Sequence, residues 1–298
     1  MGILLGLLTA LAWGSSDFFA RFAARRIGAL RTTLYMQLAG FFLLTIFLPY
    51  IGGWGHLADG SGWHPWAWGA LAGVVNGVST LALYRSFEIG KMAVVAPLSA
   101  SYPVLTVLLS LLTGEHLTAI RVAGIVLTLA GAVLVVRGET PPEEGAENTS
   151  PSTPAPGNNT SRGIGWAILS GSGFGVLFWL LGTWIVPNVG TAATVWMIRL
   201  TSSVLTVIVI LVLRQPIAPP REGSVNSWLL GMGVLDTGAF VLNNRGMLIE
   251  QVSVMGVLAS LYGAVTVTLA AVFLRERLSR WQWAGIVLIF GGIYSISR

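Results

Sequence analysis

The chain has no cysteine, a single lysine and only three histidines, and charged residues make up 10% of its 298 positions. Each scarcity closes off a class of protein. Without cysteine there are no disulfides, thiolate nucleophiles or zinc–thiolate sites. A soluble domain carries about 25% charged residues, so this chain lacks the charge a water-facing surface needs. The net charge of +5 comes almost wholly from arginines placed singly between apolar runs, with no basic stripe, which excludes a nucleic-acid partner. No phosphate-cradling G-x-x-x-x-G-K-[ST] loop occurs, since Gly90-Lys91 is followed by Met92. His56, His64 and His116 fall in loops or at helix ends without metal-ligand spacing. No cofactor, metal site or catalytic triad is expected, and the chain reads as a non-enzyme.

What is abundant is apolar sequence, 54% of the chain at a mean hydropathy of +0.76. A membrane-crossing helix needs about 20 mostly apolar residues. Ten runs qualify, at roughly 2–20, 32–51, 66–87, 92–113, 119–136, 163–186, 192–213, 228–248, 254–274 and 281–296. Between the fifth and sixth lies a Pro-, Ser- and Glu-rich stretch that cannot bury a core. The expected organisation is a five-helix unit over 1–137, a disordered linker over 138–162, and a second five-helix unit over 163–298.

The two units resemble each other. Gly124-Ile-Val-Leu-Thr-Leu-Ala-Gly131 answers Gly285-Ile-Val-Leu-Ile-Phe-Gly-Gly292, and at the same offset Trp13-Gly14 answers Phe174-Gly175 and Glu115 answers Glu276. Tyr102 and Glu88 match Tyr262 and Glu250 within one residue of that spacing. A duplicated unit with an odd number of spans must sit upside down in its second copy. The expected fold is therefore an all-α membrane protein of ten transmembrane helices as two inverted five-helix repeats. Secondary transporters use that architecture to build two gates around one midplane site.

Ionisable groups inside membrane helices are costly and mark function. Asp17, Arg199 and Asp236 qualify, and each continues a polar stripe. Trp13, Ser16 and Asp17 share one helix face; Asn76 and Thr80 another; Ser99 and Tyr102 a third; Trp196 and Arg199 a fourth; Asp236 and Asn243 a fifth. Such faces must converge on a cavity or on one another, because lipid cannot satisfy them. Candidate substrate-binding residues are Trp13, Ser16, Asn76, Thr80, Ser99, Tyr102, Trp179, Trp196, Arg199, Asp236, Asn243 and Tyr262. Asp17 and Asp236 are candidate proton carriers, and Pro97 and Pro103 candidate hinges. For Arg199 two readings stand side by side, a ligand for a substrate carboxylate or half of a structural pair with an aspartate.

Ala12-Trp13-Gly14-Ser15-Ser16, Ser101-Tyr102-Pro103-Val104 and Gly114-Glu115 leading to Gly124 and Gly131 resemble the EamA-type members of the drug/metabolite transporter superfamily. The second unit matches at Tyr262, Glu276-Arg277-Leu278 and Gly285 to Gly292, and departs where Gly263 stands for the usual proline. The resemblance implies secondary export of amino acids or other small metabolites, with the aromatic amino-acid exporters nearest. The expected function is secondary-active or facilitative export of such metabolites across a bacterial inner membrane by alternating access. The expected partners are a small-molecule substrate and the lipid bilayer; oligomeric state stays open, and a monomer is compatible. The alternatives are an intramembrane enzyme acting on a lipid-linked or small-molecule substrate, a transporter of another metabolite class, and a non-transporting scaffold.

Arginine and lysine favour cytoplasmic loops. The odd-numbered loops hold Arg21, Arg25, Arg26, Arg31, Arg85, Lys91, Arg137, Arg162, Arg214, Arg221, Arg275, Arg277 and Arg280, whereas the other face holds Arg121, Arg245 and Arg298. The odd loops and the linker are expected in the cytoplasm and both termini outside. A fluorescent reporter that matures only in the cytoplasm, fused after Arg298, should therefore stay dark; a bright fusion reverses the orientation.

Overall fold

The computed structural model describes residues 1–51, 53–89, 99–137, 159–273 and 280–296. Pro97, Glu276, Arg277, Leu278 and the linker residues 138–158 lie outside them. Among the described residues the regular structure is all helical, with no strand. In chain order the helices are α1 (Gly2–Ile27), α2 (Ala29–Ile51), α3 (His64–Ile89), α4 (Tyr102–Leu112) and α5 (Ala119–Arg137). The second half holds α6 (Asn159–Leu180), a π-helical turn (Leu181–Ile185), α7 (Val186–Val189), α8 (Thr191–Val212), α9 (Gly223–Met247), α10 (Val252–Ser260), α11 (Tyr262–Phe273) and α12 (Arg280–Ile296). Six of the helical stretches are long and apolar enough to cross a bilayer, and four shorter apolar ones complete the ten spans. The sixth span starts at Asn159, ahead of the apolar run itself.

Contacts at the two ends establish the inversion. On one face Arg26 pairs with Glu222 and Arg31 donates to the Ala218 carbonyl, joining the end of the first span to the loop before the eighth. On the other, Arg121 pairs with Glu250 at 2.9 Å and Gln251 Nε2 donates to His116 O at 2.7 Å. The first span thus leaves the face that the sixth span reaches.

The halves interlock rather than sit side by side. α1 packs against α9 and the broken ninth span, while α6 packs against α3 and α4, and α5 lies along α12. At the crossings helix backbones come into contact, as small residues permit in lipid. A Cβ on Gly14 would lie 2.8 Å from the Tyr262 carbonyl oxygen, and one on Gly175 would lie 3.0 Å from that of Tyr102. Each crossing is clamped by a threonine: Thr266 Oγ1 donates to Gly14 O at 3.1 Å, and Thr106 Oγ1 to Gly175 O at 3.0 Å. The GIVLTLAG motif makes the third seam, where a Cβ on Gly131 would meet Gly285 O at 2.6 Å.

Two departures from sequence expectation concern helix breaks. Proline was expected to bend the fourth span. Its helix is interrupted at Ser101, and Pro103 occupies the first turn of α4, where its missing N–H costs nothing. The ninth span breaks at the matching Leu261, although Gly263 stands where the fourth span has proline. Proline is therefore not required for the break; the tight crossing by α1 or α6 is common to both. The π-helical turn has its own cause. A proline ring clashes with the carbonyl four residues before it, and for Pro187 that carbonyl belongs to Thr183, inside the turn. The interval from Gly175 to the helix-ending Gly190 is one residue longer than that from Gly14 to the equivalent Gly28, so the turn absorbs a single inserted residue.

Placing a side chain in these seams should be costly in proportion to the backbone contact. Gly175→Val is expected to destabilise by about 1–3 kcal/mol through overpacking. Gly238→Ala, in α9 with open space beside it, should be neutral or slightly stabilising. Thermal unfolding in detergent followed by size exclusion separates the two.

Candidate functional site

Between the halves lies a narrow cavity of about 40 Å³. Its walls are Trp13, Asp17, Thr80, Leu83, Tyr84, Tyr102, Phe174, Phe178, Asp236, Phe240 and Tyr262. Eight of these form four repeat-related pairs: Trp13 with Phe174, Asp17 with Phe178, Thr80 with Phe240, and Tyr102 with Tyr262. The pseudo-twofold axis of the duplication thus passes through the cavity. Rings in mutual contact keep it narrow. Trp13 lies 5.3 Å from Phe178 and 5.0 Å from Phe240, and Tyr102 lies 4.9 Å from Phe178 and stacks on Tyr262 at 6.4 Å with 10° between planes. Tyr102 is held in place by its hydroxyl, which donates to Gly256 O at 3.1 Å across to α10.

Trp13, Asp17, Thr80, Tyr102, Asp236 and Tyr262 were expected at this site, and the fold brings them together. Phe174, Phe178, Phe240, Leu83 and Tyr84 were missed, because a lone phenylalanine in an apolar helix carries no signal. The duplication did carry one for the first three, since each is the counterpart of a residue chosen on polarity.

Arg199 does not line the cavity. It is wholly buried, and its guanidinium is committed to protein partners. Nη2 donates to Asp236 Oδ2 at 2.5 Å, Nη1 to Gln37 Oε1 at 2.6 Å and Nε to Thr237 Oγ1 at 3.1 Å, with the Phe240 ring 5.2 Å away. Of the two readings of Arg199, this geometry is the structural pair. Such a pair answers the cost of burying a guanidinium, which reaches at least about 2.5–3.5 kcal/mol on insertion scales.

Other predicted residues also sit elsewhere. Trp196 donates its Nε1–H to Thr45 at 2.9 Å and packs on Phe41 and Trp54, closing one end of the bundle. Trp179 donates to Thr113 at 3.2 Å on the outside of the sixth span. Asn76, the counterpart of Asp236, reaches Ser202 Oγ at 3.2 Å in the seam between α3 and α8. Asn243 lies against Met247, and Ser16 and Ser99 are buried with hydroxyls unpartnered among the described residues. The stripes were real, but several face neighbouring helices instead of open space.

The charge balance of the cavity follows. Asp236 is neutralised by Arg199, whereas Asp17 has no ion-pair partner among the described residues. Toward the face bearing the even-numbered loops the cavity is closed by a continuous apolar cluster including Leu44, Leu48, Leu181, Ile185, Val189 and Met255. An aromatic chamber at mid-bundle, on the axis of two inverted repeats and closed toward one face, is the arrangement of a membrane transporter.

The comparisons with known proteins make the class specific. Residues 1–137 and 161–298 each match the EamA-like transporter family, and the chain belongs to that family. Its members are membrane transporters of small molecules, and this chain is a multi-pass membrane protein of that kind. An uncharacterized protein of Methanocaldococcus jannaschii is 32% identical over 135 residues, which is 45% of this chain but 94% of that one. That relative is thus little longer than one repeat. A solved crystal structure matches 99% of this chain and 95% of its own with a TM-score of 0.75 at 20% identity, a likeness of fold.

The pair assignment has a double-mutant signature. Arg199→Gln leaves Asp236 buried and unpaired, and should cost about 3–5 kcal/mol of stability. Adding Asp236→Asn should restore most of it, read as melting temperature in detergent. A well-folded Arg199→Gln protein with unchanged melting temperature is the contrary result.

Proposed function

We propose that this transporter exports small amphipathic metabolites, amino acids and in particular aromatic ones among them, across a bacterial inner membrane by alternating access. One observation carries the reading: an aromatic chamber on the repeat axis holds a carboxylate, Asp17, that has no ion-pair partner among the described residues. Aromatic faces attract both flat rings and cations. A substrate would place its ammonium group at Asp17 and its apolar part between Trp13, Phe178 and Phe240. The substrate carboxylate would be directed to the Thr80 hydroxyl side rather than to the occupied Arg199.

The two repeats, 1–137 and 163–298 with 138–162 as linker, rock against one another about this chamber. The matched breaks at Ser101 and Leu261 are the pivots: each leaves a helix end free to rotate without breaking an intact helix ladder. The apolar cluster on the even-loop face is then the closed gate. The orientation remains that of the arginine count, with the odd loops cytoplasmic.

The test is flux in liposomes. A labelled amino acid inside should leave saturably, and unlabelled substrate on the opposite side should accelerate it. Asp17→Asn should cut flux at least about tenfold, the ~1.4 kcal/mol scale of one lost charged contact, with the melting temperature little changed. Imposing a pH gradient separates the two energetic modes. If Asp17 carries a proton against substrate, the gradient drives uphill flux in the wild type and not in Asp17→Asn; gradient-independent flux identifies facilitated diffusion. No flux across all amino acids overturns the substrate reading.

A further inference from the structure

A second, larger cleft opens on the odd-loop face, apart from the central chamber. It encloses about 410 Å³ between the ends of α2, α3 and α8 and the first turns of α6. α3 divides the two sites: Leu83 and Tyr84 face the chamber, whereas Leu81, Arg85 and Glu88 face the cleft. All the elements meet here at their ends, so the cleft sits at the depth of the membrane–water interface.

The lining is graded. Leu81, Val209 and Leu213 form an apolar floor toward the bilayer centre, and Arg31, Arg85, Glu88 and Gln215 ring the top. Trp166 stands at the side, 39% exposed, in the position of an interfacial anchor. The charges do not cancel. Arg85 is neutralised by Glu88 at 2.9 Å, and the other Glu88 oxygen accepts from Ala29 N at 3.3 Å. Arg31 donates one Nη to the Ala218 carbonyl, has no carboxylate partner among the described residues, and keeps a buried Nε–H without an acceptor. Among the described residues, the cleft therefore offers one guanidinium without a carboxylate partner, above an apolar floor.

We propose that this cleft binds one anionic phospholipid, its phosphodiester headgroup at Arg31 and its acyl chains along Leu81, Val209 and Leu213. One negative headgroup balances the Arg31 guanidinium, which has no carboxylate partner among the described residues, and the graded walls match a molecule that is ionic at one end only. Basic pockets between helices at the membrane surface are suited to such headgroups. A free phosphate would match the guanidinium but leave the apolar floor uncovered, which favours the lipid.

Native mass spectrometry of the full chain, with phosphatidylglycerol and phosphatidylcholine of identical acyl chains in competition, tests it. The wild type should retain phosphatidylglycerol over phosphatidylcholine by about fivefold or more, the contribution of one cationic side chain near a headgroup. Arg31→Gln should abolish the preference, Arg31→Lys should keep part of it, and Arg221→Gln, on the same face but outside the cleft, should leave it intact. Equal retention of the two lipids by the wild type overturns the proposal whether or not the variants fold. Displacement of the bound lipid by millimolar inorganic phosphate overturns the lipid assignment and leaves a simple anion site. Neither result bears on transport through the central chamber.

Discussion

Arg199 reaches from α8 to Gln37 on α2 and to Asp236 and Thr237 on α9, so one side chain ties three spans from both halves together. A bilayer offers no water to share that burden, and each of these groups must find its partner inside the protein. Once Arg199 has taken Asp236, the chamber is left with a different electrostatic character. Asp17 is left as the lining carboxylate with no ion-pair partner among the described residues, and the arginine that sequence polarity suggested for a substrate carboxylate is spent on Asp236. Packing thus sets the chemistry of the chamber.

The duplication shapes the molecule at every scale. It gives the crossed seams at Gly14 and Gly175, the threonine clamps that lock them, and the four residue pairs around the chamber. It also explains where symmetry was given up. Asp17 faces Phe178, Thr80 faces Phe240 and Asp236 replaces what is Asn76 in the first half. The scaffold is symmetric, while these three differences give the chamber a polar wall and an apolar one. A relative little longer than a single repeat shows that the unit also exists unduplicated.

Sequence by itself determined the class of protein and its architecture. Charge scarcity, apolar run lengths and one repeated offset are local or periodic properties, and they survive whatever the helices do in three dimensions. They fixed ten spans, their inversion and the membrane setting. They also located half of the chamber wall, because an ionisable or aromatic residue buried in lipid is unusual enough to notice one at a time. The tertiary structure alone decided which polar faces see open space. Arg199, Asn76, Trp196 and Trp179 lie on polar or aromatic stripes as persuasive as those of Asp17 and Thr80, yet they are spent on neighbouring helices. Helical spacing states which residues share a face; it does not state what that face meets. That depends on the rotation of each helix about its axis, which is set by backbone contacts at glycines many spans away in sequence.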